Sequence, residues 1–346
     1  MKCGCILIVV ILFLALPVSA MEFTAPAAPN EAQVYMPKDT ESFSEGIWYI
    51  IKTAIGDLRP EITAASGTCL ALIAVVILLS MADTFTKKAT QAINITGAVM
   101  IGVILLEPMN TLVHLGTQTI AQLGEYGKLL IPVMTAAMAA QGGTTTSAAL
   151  FAGTVFFNSL LTALITKLLI PILYVYLCLS VANHAIGQEL LKSIQQFAKW
   201  LMTWILKYIL YIFTGYISIT GVVSGTVDAS AIKATKLAIS GMVPVVGGIL
   251  SDASEAVLVS AGVLKSAAGV YGILAVIAIC VGPFLQIGIP YLMLKLTAGI
   301  CGMFSSKQTG GLIGDVSTGM GMVLAMTGTV CLLLLISVVC FMRGIN

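Results

Sequence analysis

Charge and histidine are scarce in this chain. Only 9% of its 346 residues are Asp, Glu, Lys or Arg, and two are histidines, His114 and His184. Neither has acidic neighbours at ligand spacing and no HExxH occurs, so a metal hydrolase is unsupported and each histidine is expected to be packed or at the surface. No GxxxxGK[ST] is present, so any ATP-driven step would need a separate subunit. The eight cysteines contain no CxxC, which removes a zinc knuckle and a redox dithiol. Cys69, Cys178, Cys280, Cys301, Cys331 and Cys340 sit in apolar runs, where a thiol behaves as a small hydrophobe. Net charge is only +2 and no basic stripe with interleaved aromatics is evident, so nucleic acid is not an expected partner. The string Gly311-Leu312-Ile313-Gly314-Asp315 superficially resembles the GxGD of intramembrane aspartyl proteases but does not match it, and no second intramembrane Asp motif accompanies it. No catalytic residue, metal site or cofactor is expected.

What is abundant is apolar surface, at 58% of residues, which a soluble core cannot absorb. The expected fold is all-α, a polytopic membrane helix bundle with short or re-entrant segments. Residues 1–20 read as a signal peptide, with Lys2, an apolar stretch from Ile6 to Leu16 and Val18-Ser19-Ala20 as a cleavage pattern; the alternative is an uncleaved anchor. Residues 21–44, with Pro26, Pro29, Pro37, Glu22, Glu31, Asp39 and Glu41, read as an acidic exported linker of unfolded composition. Residues 45–60 alternate polar and apolar positions at helical spacing, as an interfacial amphipathic helix that Pro60 ends.

Residues 61–346 form the polytopic domain. Spans are expected near 62–82 and 93–113, with Glu107-Pro108 at a membrane surface. A less hydrophobic helix follows over 118–140. The apolar segment that extends to Ala185 would be about 60 Å long as one helix, so it should break near Lys167 and Pro171. From Gly187 to Tyr211 an amphipathic surface helix carries Lys192, Lys199 and Lys207, and then Trp200, Trp204, Tyr208 and Tyr211 as an interfacial belt. Further spans are expected near 257–281, 284–303 and 318–342, for seven to nine in all. The positive-inside rule puts Lys87, Lys88, Lys192, Lys199 and Arg343 in the cytoplasm.

Plain spanning helices do not account for residues 214–258. Gly241, Pro244, Gly247 and Gly248 interrupt an apolar run too short to span comfortably, flanked by Asp228, Lys233 and Lys236 before it and by Asp252 and Glu255 after it. Irregular backbone at membrane depth persists only when buried in protein or lining a wet cavity. These nine residues are therefore the candidate assembly or pore-lining segment, with a glycine-bent helical hairpin as the plainer reading. Asp252 and Glu255 approximate a capping box, which accounts for them better than catalysis does. A two-fold internal repeat is also open. Pro132-Val133 and Pro171 match Pro244-Val245 and Pro283 at one offset, and such repeats occur in transporters.

The wording SGMVPVVGGILSDASEAVL, with the preceding GYISITGVVSGTVDASAIKATKLAISG, resembles the stage III sporulation protein AE family of endospore-forming bacteria. The order of export signal, acidic linker and apolar segments is similar over essentially the whole chain. The resemblance implies a multi-pass protein of the mother-cell membrane around the forespore, acting as a structural and pore-lining subunit of a multiprotein channel between the two cells. Its implied partners are the lipid bilayer, other stage III A proteins, including a secretion-type ATPase and ring-forming subunits, and the forespore-side stage II Q protein. The alternative is a permease-like transporter of a small solute, energised by separate subunits.

Overall fold

The structure is a computed structural model that describes residues 25–37, 43–85, 90–140, 144–219, 267–304 and 307–344. Among them there is no strand. A short helix α1 (Asn30–Gln33) precedes α2 (Phe43–Gly56) and α3 (Arg59–Phe85). Then follow α4 (Thr90–Ala140), α5 (Thr144–Leu164), a π-helical turn (Ile165–Leu169) and α6 (Ile170–Ile186). The remaining helices are α7 (Glu189–Ile219), α8 (Ala267–Phe304) and α9 (Lys307–Gly344). Counting α5 to α6 as one rod, six helices among the described residues are long and apolar enough to cross a membrane. The chain is a multi-pass membrane helix bundle.

The helices sort by burial. The most apolar window of α9 is 67% buried and that of α3 only 22%, so α9 runs through the centre and α3 along the outside. A helix that is apolar all round belongs inside a bundle or against lipid. Antiparallel to α9 lies α8, with Gly321 against Tyr291 and Gly328 against Phe284. By contrast α4 runs parallel to α9, Gly116 facing Val323 and Gly127 facing Leu334. The α6 helix is antiparallel to both, through Tyr174 with Asn110 and Tyr176 with Asp315. The α9 terminus at Gly344 therefore lies at the end of the bundle away from the α6–α7 turn. Arg343 does not share an end with Lys192 and Lys199, contrary to the charge-based expectation; the charge rule weighs a lone terminal arginine without knowing the direction of its helix.

Two expected breaks are absent. The span expected near 93–113 and the helix expected over 118–140 are one: α4 continues for 51 residues with Pro108 and Pro132 inside it, about 76 Å at 1.5 Å per residue. Its exposed face changes character instead, from Ile95, Val99, Val103 and Leu106 to Glu107, Asn110, Thr111, His114 and Glu125. The expected break at Lys167 and Pro171 is a π-helical turn inside one continuous rod. Here Pro171, which has no N–H to donate, sits in the first turn of α6, where that loss is tolerated. Likewise Pro60 does not end α2, which stops at Gly56, but lies in the first turn of α3.

Residues 25–37 form a strap across the bundle, although their composition reads as unfolded. Ala28 and Ala32 are buried, and their small side chains let the backbone approach the helices. The phenol of Tyr126 donates to the Pro26 carbonyl at 3.4 Å, and the Ala28 N–H donates to Tyr271 Oη at 3.4 Å. On α4, Gln118 and Gln122 donate to the two carboxylate oxygens of Glu31 at 3.2 and 2.6 Å. The Tyr35 ring fills the space left by Gly282. The signal peptide, and the linker outside 25–37 up to Ser42, lie outside the described residues.

Candidate functional site

A polar cleft of about 290 Å³ opens where α6, α7 and α9 meet. Three features of the sequence make it. On α6, Tyr176, Ser180 and His184 recur every four residues, one helical face in an otherwise apolar segment. Gly187 follows with φ 73°, the left-handed conformation that ends α6 while its N–H caps the Asn183 carbonyl at 2.7 Å. That cap turns the chain sharply enough for α7 to return along α6 and bring Lys192, Gln195, Gln196 and Lys199 to the cleft. From α9 come Gly311 and Asp315, one turn apart.

Gln195 holds these elements together. It is 4% exposed, and its Nε2 donates to Ser180 Oγ at 2.6 Å and to Asp315 Oδ2 at 2.8 Å, joining all three helices. The Tyr176 phenol donates to the Asp315 backbone carbonyl at 3.1 Å. His184 donates from Nδ1–H to the Ser180 carbonyl at 2.8 Å, and the same nitrogen lies 3.8 Å from Asp315 Oδ2. Its other nitrogen looks onto Gly311, where an added Cβ would stand 2.7 Å from Nε2. The Ser180 hydroxyl thus meets an amide rather than a base. As built, the cluster fixes helix positions and presents polar groups; it is not arranged as a nucleophile with its activator. Among the described residues no group of three or more His, Cys, Asp or Glu could hold a metal ion.

On its outer side α7 carries a second feature. Phe197, Trp200, Trp204 and Tyr208 follow one another as ring neighbours 4.4 to 6.0 Å apart, with Tyr211 5.9 Å beyond Tyr208. The first four are well exposed. The Lys207 ammonium lies 5.5 Å from the centroid of Tyr211. The aromatics expected as a belt therefore form a ladder along the helix axis, next to the lysines.

The sequence-based candidates Asp228, Lys233, Lys236, Gly241, Pro244, Gly247, Gly248, Asp252 and Glu255 lie outside the described residues, as does half of the proposed repeat. What sequence reasoning missed is the approach of His184 to Asp315, 131 positions apart, and the Gln195 bridge between Asp315 and Ser180 beside it. Two signals pointed there: an ionisable residue within an apolar helix, which is functional by default, and the four-residue polar period on α6.

A family model described as stage III sporulation protein AE matches residues 36–344. The curated protein named stage III sporulation protein AE from Bacillus subtilis (strain 168) is 24% identical over 265 residues, covering 75% of this chain and 66% of that protein. The match therefore spans just under two thirds of the relative's length. No solved structure matches.

Proposed function

The chain belongs to the stage III sporulation protein AE family, and from that premise we propose that it is an integral membrane subunit of the multiprotein channel joining mother cell and forespore during endospore formation. Its role there is structural and pore-lining rather than catalytic. The observation that carries this reading is the bundle itself: six candidate spans, with the polar groups at the α6–α7–α9 junction hydrogen-bonded to one another across helices. Such a body can position partners in a membrane. Its proposed site is the mother-cell membrane around the forespore. Its proposed partners are other stage III A proteins, including a secretion-type ATPase and ring-forming subunits, and the stage II Q protein from the forespore side. The glycine-broken segment with Gly241, Pro244, Gly247 and Gly248 is the part proposed to assemble with partners or line the pore.

The polar cleft favours a second reading, a permease-like transporter of a small solute energised by separate subunits, since transporters place polar groups among broken or irregular helices. Affinity purification of the tagged full chain from sporulating cells separates the two. Co-purification of the channel proteins, and loss of spores on deletion, supports the channel subunit. Recovery of the chain alone, with solute uptake lost on deletion and assembly intact, supports the permease.

A further inference from the structure

We propose that α7 binds an anionic phospholipid, with the headgroup phosphate on its lysines at the mouth of the cleft and an acyl chain along the aromatic ladder. The argument starts from periodicity. Lys192, Gln196, Lys199, Thr203 and Lys207 recur at spacings of four, three, four and four, one stripe of a helix. Phe197, Trp200, Trp204, Tyr208 and Tyr211 make a second stripe with the same period. At 3.6 residues per turn the two are offset by about a quarter-turn, roughly 8–9 Å of arc at the side-chain radius of about 5–6 Å. That is the size of a glycerophosphate group, so one lipid can engage both stripes.

Charge complementarity selects an anion. Along its whole length α7 has three lysines and one acid, Glu189. Glu189 stands 3.9 Å from Lys192, but the two side chains are 89% and 52% exposed, a geometry in which an ion pair contributes little. Among the described residues Lys199 has no ionic partner. Asp315, which lines the same cleft, accepts from Gln195 and lies 3.8 Å from His184, so its carboxylate is already engaged. Beside the lysines, Gln196 and Asn183 line the same cleft and offer amide donors to phosphate oxygens.

The ladder selects a lipid over free phosphate. Leu190, Ile194, Phe197, Trp200 and Trp204 are 43 to 67% exposed on a helix whose opposite face, including Met202, Leu206 and Phe213, is buried in the bundle. In a protein read as membrane-embedded, an exposed apolar row directly beside lysines that are weakly paired or lack an ionic partner matches the division of a phospholipid into chain and headgroup. Lysines and aromatics on adjoining strips are the arrangement by which amphipathic helices bind anionic bilayers.

The tryptophans make the site readable. The chain has three, and Trp48→Phe leaves Trp200 and Trp204 as the only reporters. The purified full-length Trp48→Phe chain is placed in phosphatidylcholine nanodiscs containing 10 mol% of a brominated lipid, either phosphatidylglycerol or phosphatidylcholine. Brominated phosphatidylglycerol should quench at least twofold more than brominated phosphatidylcholine. Lys192→Gln with Lys199→Gln should reduce the two lipids to equal quenching, while Lys192→Arg with Lys199→Arg should keep the preference; circular dichroism and gel filtration verify that both variants fold. Inorganic phosphate at 10 mM should leave the preference in place. Equal quenching by both lipids in the parent chain overturns the proposal, as does a preference untouched by the glutamine pair. Loss of the preference to inorganic phosphate assigns the lysines to free phosphate and refutes the lipid. Tryptophans quenched by neither lipid would show that another protein or a second copy covers the ladder, which also refutes it.

Discussion

Replacing Gln195 by leucine removes both hydrogen bonds that tie α6 and α9 to α7 while nearly preserving volume. The bond to Ser180 is neutral and contributes about 1 kcal/mol; the bond to the Asp315 carboxylate is charge-assisted and contributes about 1.5–3 kcal/mol when buried. The Asp315 side chain is 32% exposed to the cleft, so water replaces part of the second, and the larger figure must be discounted. Leucine recovers some of the loss because position 195 is 4% exposed and burial of its methyl groups is favourable. The expected net loss is about 1–2 kcal/mol. The assay is unfolding in detergent by SDS titration, for Gln195→Leu, Asp315→Asn and the pair. The two singles should couple by about 1 kcal/mol, because once Gln195→Leu has removed the bond to Asp315, neutralising Asp315 cannot weaken it again. A control pairing of Gln195→Leu with Asn158→Leu, on α5 well away from the cleft, should be additive within about 0.5 kcal/mol. Strict additivity of Gln195→Leu with Asp315→Asn, or wild-type stability of Gln195→Leu, would show that the three helices are held by apolar packing alone and that the bracket is incidental.

Gly153→Ala should destabilise by about 1–3 kcal/mol, because its Cβ would enter the Tyr216 ring and push that phenol off the Ala149 carbonyl, 2.7 Å away. Detergent melting measures this, and Tyr216→Ala should relieve it; an unrelieved loss would implicate the helix backbone instead. Ser193→Cys and Gly344→Cys, each in a cysteine-free background, should react with an impermeant maleimide from opposite sides of the membrane; same-side labelling would contradict the antiparallel course of α6 and α9. The Tyr35 phenol is raised above its ordinary value of 10.0 by burial, with Asp57 and Glu61 adding to the effect. A raised folded pKa stabilises fully below the unfolded value and loses that contribution as pH rises through the folded one. Strap docking should thus be intact below about pH 10 and weaken above it. Trypsin cleavage at Lys38 as a function of pH checks this, and Tyr35→Phe should flatten the response.

Much of the bundle was legible because its signals are local. The apolar window of α3 and the amphipathic stripe of α7 each follow from a few neighbouring residues. The strap was not legible, since its order depends on Gln118, Gln122 and Tyr126, about a hundred positions away, which compensate a composition that would otherwise stay solvated. Proline misled at positions 60 and 171, because each falls in the first turn of a helix, where its missing N–H costs little, rather than at a break. The cleft was partly visible: Lys192 and Lys199 were placed at one membrane face, while His184 was expected only to be packed or at the surface. The contribution of Gln195 was hidden because the polar stripe on α7 reads through its neighbour Gln196, and only the position of α9 reveals which glutamine points inward.

The π-helical turn at Ile165–Leu169 also sets the phase of the rod that contains it. Such a turn accommodates one residue more than an α-helix of the same rise, so everything after it is rotated by about 100° relative to an uninterrupted helix. Upstream, Leu150, Phe157 and Leu161 face the core; downstream, Leu173, Tyr176 and Ser180 do. Without the extra residue one of these two sets would point away from the bundle. The rod therefore works as two gears cut on one shaft, and the added residue is the key that keeps both in mesh. A lone deletion there would bring the downstream teeth round to the wrong partner, and only a compensating insertion within the same rod would restore the register.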